Sequence, residues 1–424
     1  MLYAGWLDVA RERLGETALV DCASGQRWTF AELARSADLS APPVDPIIYP
    51  QGHSAEFIFA VLRAWRWGIV VCPLEPGQDP PAVPVPPAPC CHLKTTSATT
   101  GSPRVIAFTA AQLAADATNI VATMGLRAEW PNLAAVSMAH SYGFSNLVLP
   151  LLLHGIPLII APSPLPGAIR RAADTGAGLT LPAVPALWRA WHEVGAIPPN
   201  VRLAISAGAP LPVSLEQRVY ADTGTKIHNF YGASECGGIA FDRSGEPRQD
   251  NAAVGVPLEG VRLSLHDDGC VWVQSRAVGE TYWPDSDDAL GQGRFRTSDL
   301  AELKEGLVFL RGRVSDQVNV AGRKVSPGTV EQALMQYPGM GECLVFGIPS
   351  RDADRTDSIV ACIVSPSPLP AEDLRRFLLN RLPAWQVPRE WWFVDSLNAN
   401  RRGKTSRAEW RERYLRERLA AGGR

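Results

Sequence analysis

Hydrophobic positions along the chain switch between a three-to-four-residue spacing and short continuous runs, the pattern of helices laid over buried strands. Residues 54–67 read as a helix with Phe57, Val61, Leu62 and Trp65 on one face, and residues 6–14 as a shorter amphipathic one. A third helix is expected over 28–36, with Thr29 as its cap. Residues 18–21 and 68–74 read as strands. Farther on, a helix over 110–124 alternates with apolar strands at 134–138 and 157–160, as in a parallel or mixed sheet covered by helices. The spacing changes after residue 260. Segments 261–273 and 301–310 are short strands folded back at Asp267-Asp268-Gly269 and Lys304-Glu305-Gly306, which is the turn chemistry of antiparallel hairpins. Residues 79–89 are too crowded with proline for a helix or a central strand and are expected to be a connector.

At 424 residues the chain is long enough for two or three packed units. Its 46% apolar and 20% charged residues fit a folded rather than a disordered protein. The formal charge, 41 − 43 = −2, supplies no global field toward nucleic acid or membrane. Eight cysteines stand mostly alone among apolar neighbours, and no Cys-x-x-Cys pair exists, so neither a disulfide framework nor zinc is expected. The first ten residues lack the basic start and apolar run of a signal peptide. The greasiest stretch, 147–160, is broken by Pro150, His154, Gly155 and Pro157 and is too short to span a bilayer. A cytoplasmic protein is the default expectation.

Two segments carry candidate chemistry. Residues 94–104, Lys-Thr-Thr-Ser-Ala-Thr-Thr-Gly-Ser-Pro-Arg, offer hydroxyls and backbone N–H groups to phosphate oxygens, with Arg104 as a fixed cation. They lack the Gly-Lys-Ser/Thr ending of a Walker loop, and such a loop by itself is more often ordinary linker. Residues 229–238, Asn-Phe-Tyr-Gly-Ala-Ser-Glu-Cys-Gly-Gly, add an aromatic, a hydroxyl and a carboxylate within five positions. Tyr231 can stack on a purine, Ser234 can meet a phosphate, and Glu235 is a hard oxygen ligand suited to Mg²⁺.

With these segments on the page, the chain resembles the adenylate-forming superfamily of acyl- and aryl-CoA synthetases, peptide-synthetase adenylation domains and luciferases. Thr96–Arg104 is similar to that family's Thr-Ser-Gly-Thr-Thr-Gly-x-Pro-Lys, and Tyr231–Glu235 to its Tyr-Gly-x-Thr-Glu. Thr297-Ser298-Asp299 resembles its Thr-Gly-Asp, Gly312-Arg313 through Asp316 its Gly-Arg-x-x-Asp, and Gly403-Lys404 its late Gly-Lys. The resemblance implies an α/β fold: a large N-terminal domain, 1–314, of mixed sheets covered by helices plus a β-hairpin-rich subdomain, binding ATP and the acid. A small mobile α+β C-terminal domain, 315–424, would carry the catalytic lysine.

It also implies roles. Thr96, Ser97, Thr99, Thr100, Gly101 and Arg104 would cradle the ATP phosphates. Gly208, Ala209 and Pro210 would border adenine, with Tyr231 against its face and Gly232 beside it. Ser234 would contact the α-phosphate and Glu235 would hold Mg²⁺. Asp299 would take the ribose hydroxyls and Arg313 the ribose or phosphate. Lys404 would bridge substrate carboxylate and α-phosphate, and Ser315 and Asp316 would form the hinge. The acid pocket would draw on His140, Tyr142, Ser206, Ala207, Gly208, Gly232, Gly237, Gly238 and Ile239.

The implied reaction turns a carboxylic acid and ATP into an acyl-AMP and diphosphate. A thioester and AMP then form on coenzyme A or on the phosphopantetheine of an acyl carrier protein. Neither Asp222 nor His228 falls where an amino-acid-activating domain needs an ammonium partner, so an uncharged acyl or aryl acid is favoured. Three readings stay open: an acyl- or aryl-CoA synthetase, a carrier-protein ligase, and a non-catalytic nucleotide-binding relative. Ala98 for glycine, Arg104 for lysine and Thr405 after Lys404 depart from the family pattern. The tail from 397 holds nine Arg/Lys against three Glu and reads as a solvated helix, or as a surface for acceptor phosphates.

Overall fold

The computed structural model describes residues 1–96, 104–320, 322–350, 357–365, 367, 369–397 and 406–421. The expectations for Ser97, Ala98, Thr99, Thr100, Gly101, Lys404 and Thr405 lie outside those residues.

Strands that are apolar on both faces belong in the middle of a sheet, and they are found there. Thr17–Asp21, Leu158–Ile160, Asn132–Ala134, Leu179–Ala183, Val201–Ser206 and Ile227–Ala233 lie side by side and parallel. Alternate residues feed two cores: Ala134, Leu158, Ile160, Leu203 and Ile205 face one, and Leu133, Ile159 and Ala204 the other. Past Ile227–Ala233 the same 14-stranded sheet continues antiparallel through Gly237–Phe241, Ala253–Pro257, Leu307–Arg313, Arg294–Lys304, Cys270–Ser275 and Val261–Leu265. A second, five-stranded sheet holds Cys90–Thr95 and Val105–Thr109, the strands on either side of the hydroxyl-rich loop.

The helices follow their local signals. Ala110–Met124 starts on a Thr109–Gln112 capping box and stops at Gly125, whose φ of 66° is left-handed. Thr29 caps Phe30–Asp38 with Glu32, but Trp28 itself belongs to the strand Gln26–Thr29. The first helix starts earlier than its pattern suggested, at Leu2, because Leu2, Trp6 and Ala10 form one buried stripe. The strand expected over 134–138 is instead Asn132–Ala134. Beyond it the backbone leaves the sheet and passes under Gly143, where a Cβ would stand 2.0 Å from the Ser137 carbonyl oxygen.

From residue 318 onward the chain builds separate hydrophobic clusters around Val330, Val345, Ile359 and Leu374, and around Phe346, Cys362 and Trp410. The strands Glu342–Pro349, Asp357–Val364 and Glu390–Phe393 form a three-stranded sheet here. Ser326 Oγ donates to the Arg311 carbonyl at 2.5 Å, and an Arg189–Glu342 ion pair joins this unit to the helix Pro185–Glu193. The basic tail is the helix Arg407–Ala421, with an i,i+4 pair between Arg413 and Glu417. Among the described residues no helix is long and apolar enough to cross a membrane.

One buried charge cluster ties the two halves of the large sheet together. Glu216, 0% exposed, accepts from the Arg248 backbone N–H at 3.0 Å and its Nε at 2.8 Å, and pairs with Lys226. Lys226 also reaches Asp242 at 2.6 Å. Removing the shared carboxylate leaves two enclosed cations short of a partner. Glu216→Ala should therefore lower unfolding free energy by about 3–5 kcal/mol, read by urea denaturation; a loss under about 1 kcal/mol would contradict the cluster's role.

Candidate active site

The expected ATP and acid residues gather where the parallel strands end and the sheet turns antiparallel. Val201–Ser206 pairs with Ile227–Ala233 through Ser206↔Asn229, after which Phe230 pairs with Phe241 on the opposite neighbour. Ends of parallel strands at such a switch open a crevice suited to ligands. Ser206, Ala207 and Gly208 leave one strand here, and Gly208 takes φ +85°, which a side chain would strain. Ala209 and Pro210 follow, Pro210 exposed. His140 caps the short helix Ser141–Gly143, its Nδ1 accepting the Tyr142 N–H at 3.3 Å. Tyr142 is buried, with its ring 6.0 Å from that of Phe230.

The turn after Ala233 is held tightly. The Glu235 carbonyl accepts the Gly279 N–H at 2.8 Å, and a Cβ on Gly232 would come within 2.7 Å of the Gly237 carbonyl oxygen. This packing aims the Glu235 carboxylate at Tyr282, whose hydroxyl donates to it at 3.1 Å. Burial pushes the Glu235 carboxyl up, against the opposing pull of the Tyr282 hydrogen bond and the Arg104 charge. Arg104 lies flat over the Tyr282 ring, 3.3 Å from its centre, and donates to Asp287 at 2.9 Å. The two ends of the hydroxyl-rich loop are clamped, since Thr96 N–H meets the Arg104 carbonyl at 2.8 Å and Arg104 N–H meets Thr96 Oγ1 at 3.0 Å.

Asp299 joins the remaining residues. It accepts the Tyr231 hydroxyl on Oδ2 at 2.6 Å and the Arg313 Nε on Oδ1 at 2.8 Å. Asp299 and Arg313 stand directly opposite each other across the hairpin of Arg294–Lys304 and Leu307–Arg313. Burial and the neighbouring Asp299 charge push the Tyr231 phenol well up, and Asp299 raises the Arg313 guanidinium further. The half-buried Tyr231 ring, the Asp299 carboxylate and the Arg313 cation thus form one connected set. Ser234 is half-buried in the turn, and Ser315 and Asp316 follow Arg313 in the short 3-10 turn Val314–Asp316.

Among the described residues no group of three or more His, Cys, Asp and Glu could hold a metal on protein atoms alone. One enclosed carboxylate, Glu235, fits a Mg²⁺ ion that keeps water and phosphate oxygens as its other ligands. Tyr282, Asp287 and the buried pair Lys94–Asp116 were not singled out in the sequence. The alternation of Cys90–Thr95 was the one available signal, because it puts His92 and Lys94 on the same face. The cleft lined by Arg189, Arg218, Met340 and Glu342 contains none of the expected ATP or acid residues.

The pattern shared by AMP-binding enzymes matches residues 75–283, and that of the AMP-binding enzyme C-terminal domain matches 329–404. A probable 2-succinylbenzoate–CoA ligase of Mycobacterium tuberculosis is 30% identical over 349 residues, 76% of this chain and 84% of that protein. The chain belongs to the AMP-binding enzyme family. A feruloyl-CoA synthase of an Amycolatopsis species is 27% identical over 407 residues, covering 89% of this chain and 82% of its own. Among solved structures, ATP-bound MatB from Rhodopseudomonas palustris superposes with a TM-score of 0.85 at 21% identity, over 97% of this chain and 98% of that one. That likeness speaks for the fold. With it, this AMP-binding enzyme is an AMP-forming acid–thiol ligase that uses ATP.

A carboxyl raised by burial makes the fold bind a proton that the unfolded chain has released. Between the ordinary carboxylate range and the raised value, Glu235 therefore costs stability as pH rises, and the cost persists above that window. In ATP-free protein Glu235→Gln should hold or raise the thermal midpoint at pH 8, with the gain vanishing toward pH 4. A midpoint that falls at pH 8 would show that the carboxylate is favourably paired instead.

Proposed function

We propose that this chain joins an uncharged aryl or acyl acid to coenzyme A in two half-reactions, first as an acyl adenylate and then as a thioester. The observation that supports this best is the connected set Tyr231–Asp299–Arg313 beside the enclosed Glu235 carboxylate. Adenine would lie against the Tyr231 ring and along Gly208–Pro210. Asp299 would accept the ribose hydroxyls, with Arg313 Nε holding that carboxylate in orientation. Ser234 and the 96–104 loop would bind the phosphates. Mg²⁺ on Glu235 would offset the charge of the polyphosphate.

Attack of a carboxylate on the α-phosphate brings two anions together, so cations at the point of contact lower the barrier. Lys404 is assigned that place, and residues 315–424, as the smaller domain, would withdraw it for thiol attack by turning about Ser315 and Asp316. His140, Tyr142, Ser206, Gly237, Gly238 and Ile239 would wall the acid. Asp222 and His228 are engaged elsewhere, with His192 at 2.8 Å and with the Asp242 carbonyl at 2.8 Å. Neither is placed to take an α-ammonium, which supports an uncharged acid. All eight cysteines are unpaired, in keeping with a reducing, cytoplasmic setting.

Pyrophosphate release across a panel of aryl and aliphatic acids tests the reading. No release with any acid, while ATP still binds, would replace it with a non-catalytic nucleotide-binding protein. Coenzyme A and a phosphopantetheinylated carrier protein, supplied in turn, then identify the acceptor. Lys404→Ala should slow adenylation at least about a hundredfold while thiol attack on a preformed adenylate continues. Equal loss of both steps would remove Lys404 from its assigned place.

A further inference from the structure

The strand Cys90–Thr95 carries two residues that nothing above uses. His92 is 0% exposed and Lys94 4%, and their shared face meets the helix Ala110–Met124 and the π-helical turn Phe144–Val148. The Lys94 ammonium sits 3.4 Å from Ser145 Oγ, 3.8 Å from Asp116 Oδ2 and 4.5 Å from the centre of the Phe108 ring. Asp116 is already engaged: its Oδ2 accepts the Ser145 hydroxyl at 2.6 Å and its Oδ1 the Gly238 N–H at 3.2 Å. Among the described residues Lys94 thus makes one long hydrogen bond and keeps N–H donors in hand. His92 lies tilted on Phe144 at 4.5 Å, and neither of its ring nitrogens has a partner among the described residues. Buried polar groups are nearly always met, so the unmet His92 nitrogens and the spare Lys94 donors point to a ligand group that meets them.

Through Asp116 the cluster adjoins the proposed acid pocket. Asp116 holds Gly238, and a Cβ on Gly237 would fall 1.9 Å from Asp116 Oδ1, so the two glycines lie flush against this carboxylate. Phe144, which covers His92, is two residues from Tyr142. Lys94 and Asp116 together carry no net charge. Burial and the Lys94 charge hold the His92 imidazole well below its usual range, leaving it neutral, with one donor and one acceptor. A second carboxylate on the substrate would meet Asp116, and an ammonium would meet Lys94. A neutral group with lone pairs meets neither repulsion.

We propose that the acid pocket ends on His92, Lys94 and Asp116, and that the acid activated carries an uncharged hydroxyl or carbonyl at the end away from its reacting carboxylate. This rests on the ligase reading above. A site built to hydrogen-bond such a group rejects the analogue that lacks it more strongly than an apolar pocket rejects an added group.

The test is kcat/KM for pyrophosphate release with matched acids: benzoic and 4-hydroxybenzoic, cinnamic and 4-hydroxycinnamic, octanoic and 8-hydroxyoctanoic, and the corresponding dicarboxylic acids. The hydroxylated member of the accepted pair should exceed the plain one at least about tenfold, with the dicarboxylic acid below both. Lys94→Met with Asp116→Asn, which keeps the charge balance, should bring that ratio toward one. Its thermal midpoint is measured alongside, and if that variant does not fold, His92→Phe is expected to lower the ratio in its place. Release from the plain acids with no hydroxyl advantage overturns this inference alone, as does a ratio that survives in the folded variants. Silence with every acid overturns the ligase reading beneath it.

Discussion

One strand has to serve two kinds of neighbour. Ile227–Ala233 is parallel to Val201–Ser206 over its first half and antiparallel to Gly237–Phe241 over its second, with a register shift between Tyr231 and Gly232. The parallel half, Ile227 to Asn229, buries Ile227 and Asn229 and half-buries His228 between them. The antiparallel half requires a tight return, and only small residues permit it. Gly232 and Gly237 nearly touch through the Gly237 carbonyl, and Gly237 takes φ +69°. Tyr231 and Glu235 are thereby presented on either side of a turn that cannot widen. Gly255 extends the same constraint to the next strand, where a Cβ would stand 2.1 Å from the Phe241 carbonyl oxygen. A larger residue at any of these places would separate the crevice from its carboxylate before it altered any catalytic group.

The second dependence runs along the chain from Asp299. Its partner Arg313 is the last residue of its strand, and the turn Val314–Asp316 starts at the next residue. The ribose end of the proposed nucleotide site at Arg313 and the start of the proposed hinge at Ser315 are therefore two residues apart. Asp316 is held in turn by Arg407 at 2.8 Å, and Arg407 also takes Glu331 at 2.6 Å and the Val345 carbonyl at 3.1 Å. Arg407 is the third residue after Lys404 in sequence. Asp299 is thus linked to the start of the last helix through two ion pairs and a short turn.

Local signals made much of the fold legible. Ala110–Met124 was readable at both ends because its cap, its capping partner and its terminal glycine all lie within the helix or next to it. Both hairpins after residue 260 were readable from their Asp-Gly and Glu-Gly turns. The 134–138 strand was overrun because its true end is set by Gly143, a tertiary contact with no local mark. At the site, Tyr231, Glu235, Asp299 and Arg313 were found through the order of their motifs. Tyr282 and Asp287, which position Glu235 and Arg104, come from a segment without any motif. The Lys94–Asp116 pair was hidden for a different reason: Lys94 read as the start of the hydroxyl-rich loop rather than as part of a buried strand, and its carboxylate partner lies on another element.

Two carboxylates, the buried Asp116 and the half-buried Glu235, follow opposite electrostatic logic. Asp116 has its countercharge built in, together with a hydroxyl and a backbone N–H, so its surroundings are complete without any metal. Glu235 has a hydroxyl and only a distant guanidinium, since Arg104 is turned to Asp287 and stacked on Tyr282. A carboxylate enclosed with little positive charge is raised, and a divalent cation there would favour its ionised form. On the proposed reading this separates selection from chemistry. The acid would be chosen against a preformed, neutral set of charges, whereas the cations needed for phosphoryl attack arrive with the nucleotide and with Lys404. A pocket built that way discriminates by hydrogen bonds and shape before any countercharge for the reaction is in place.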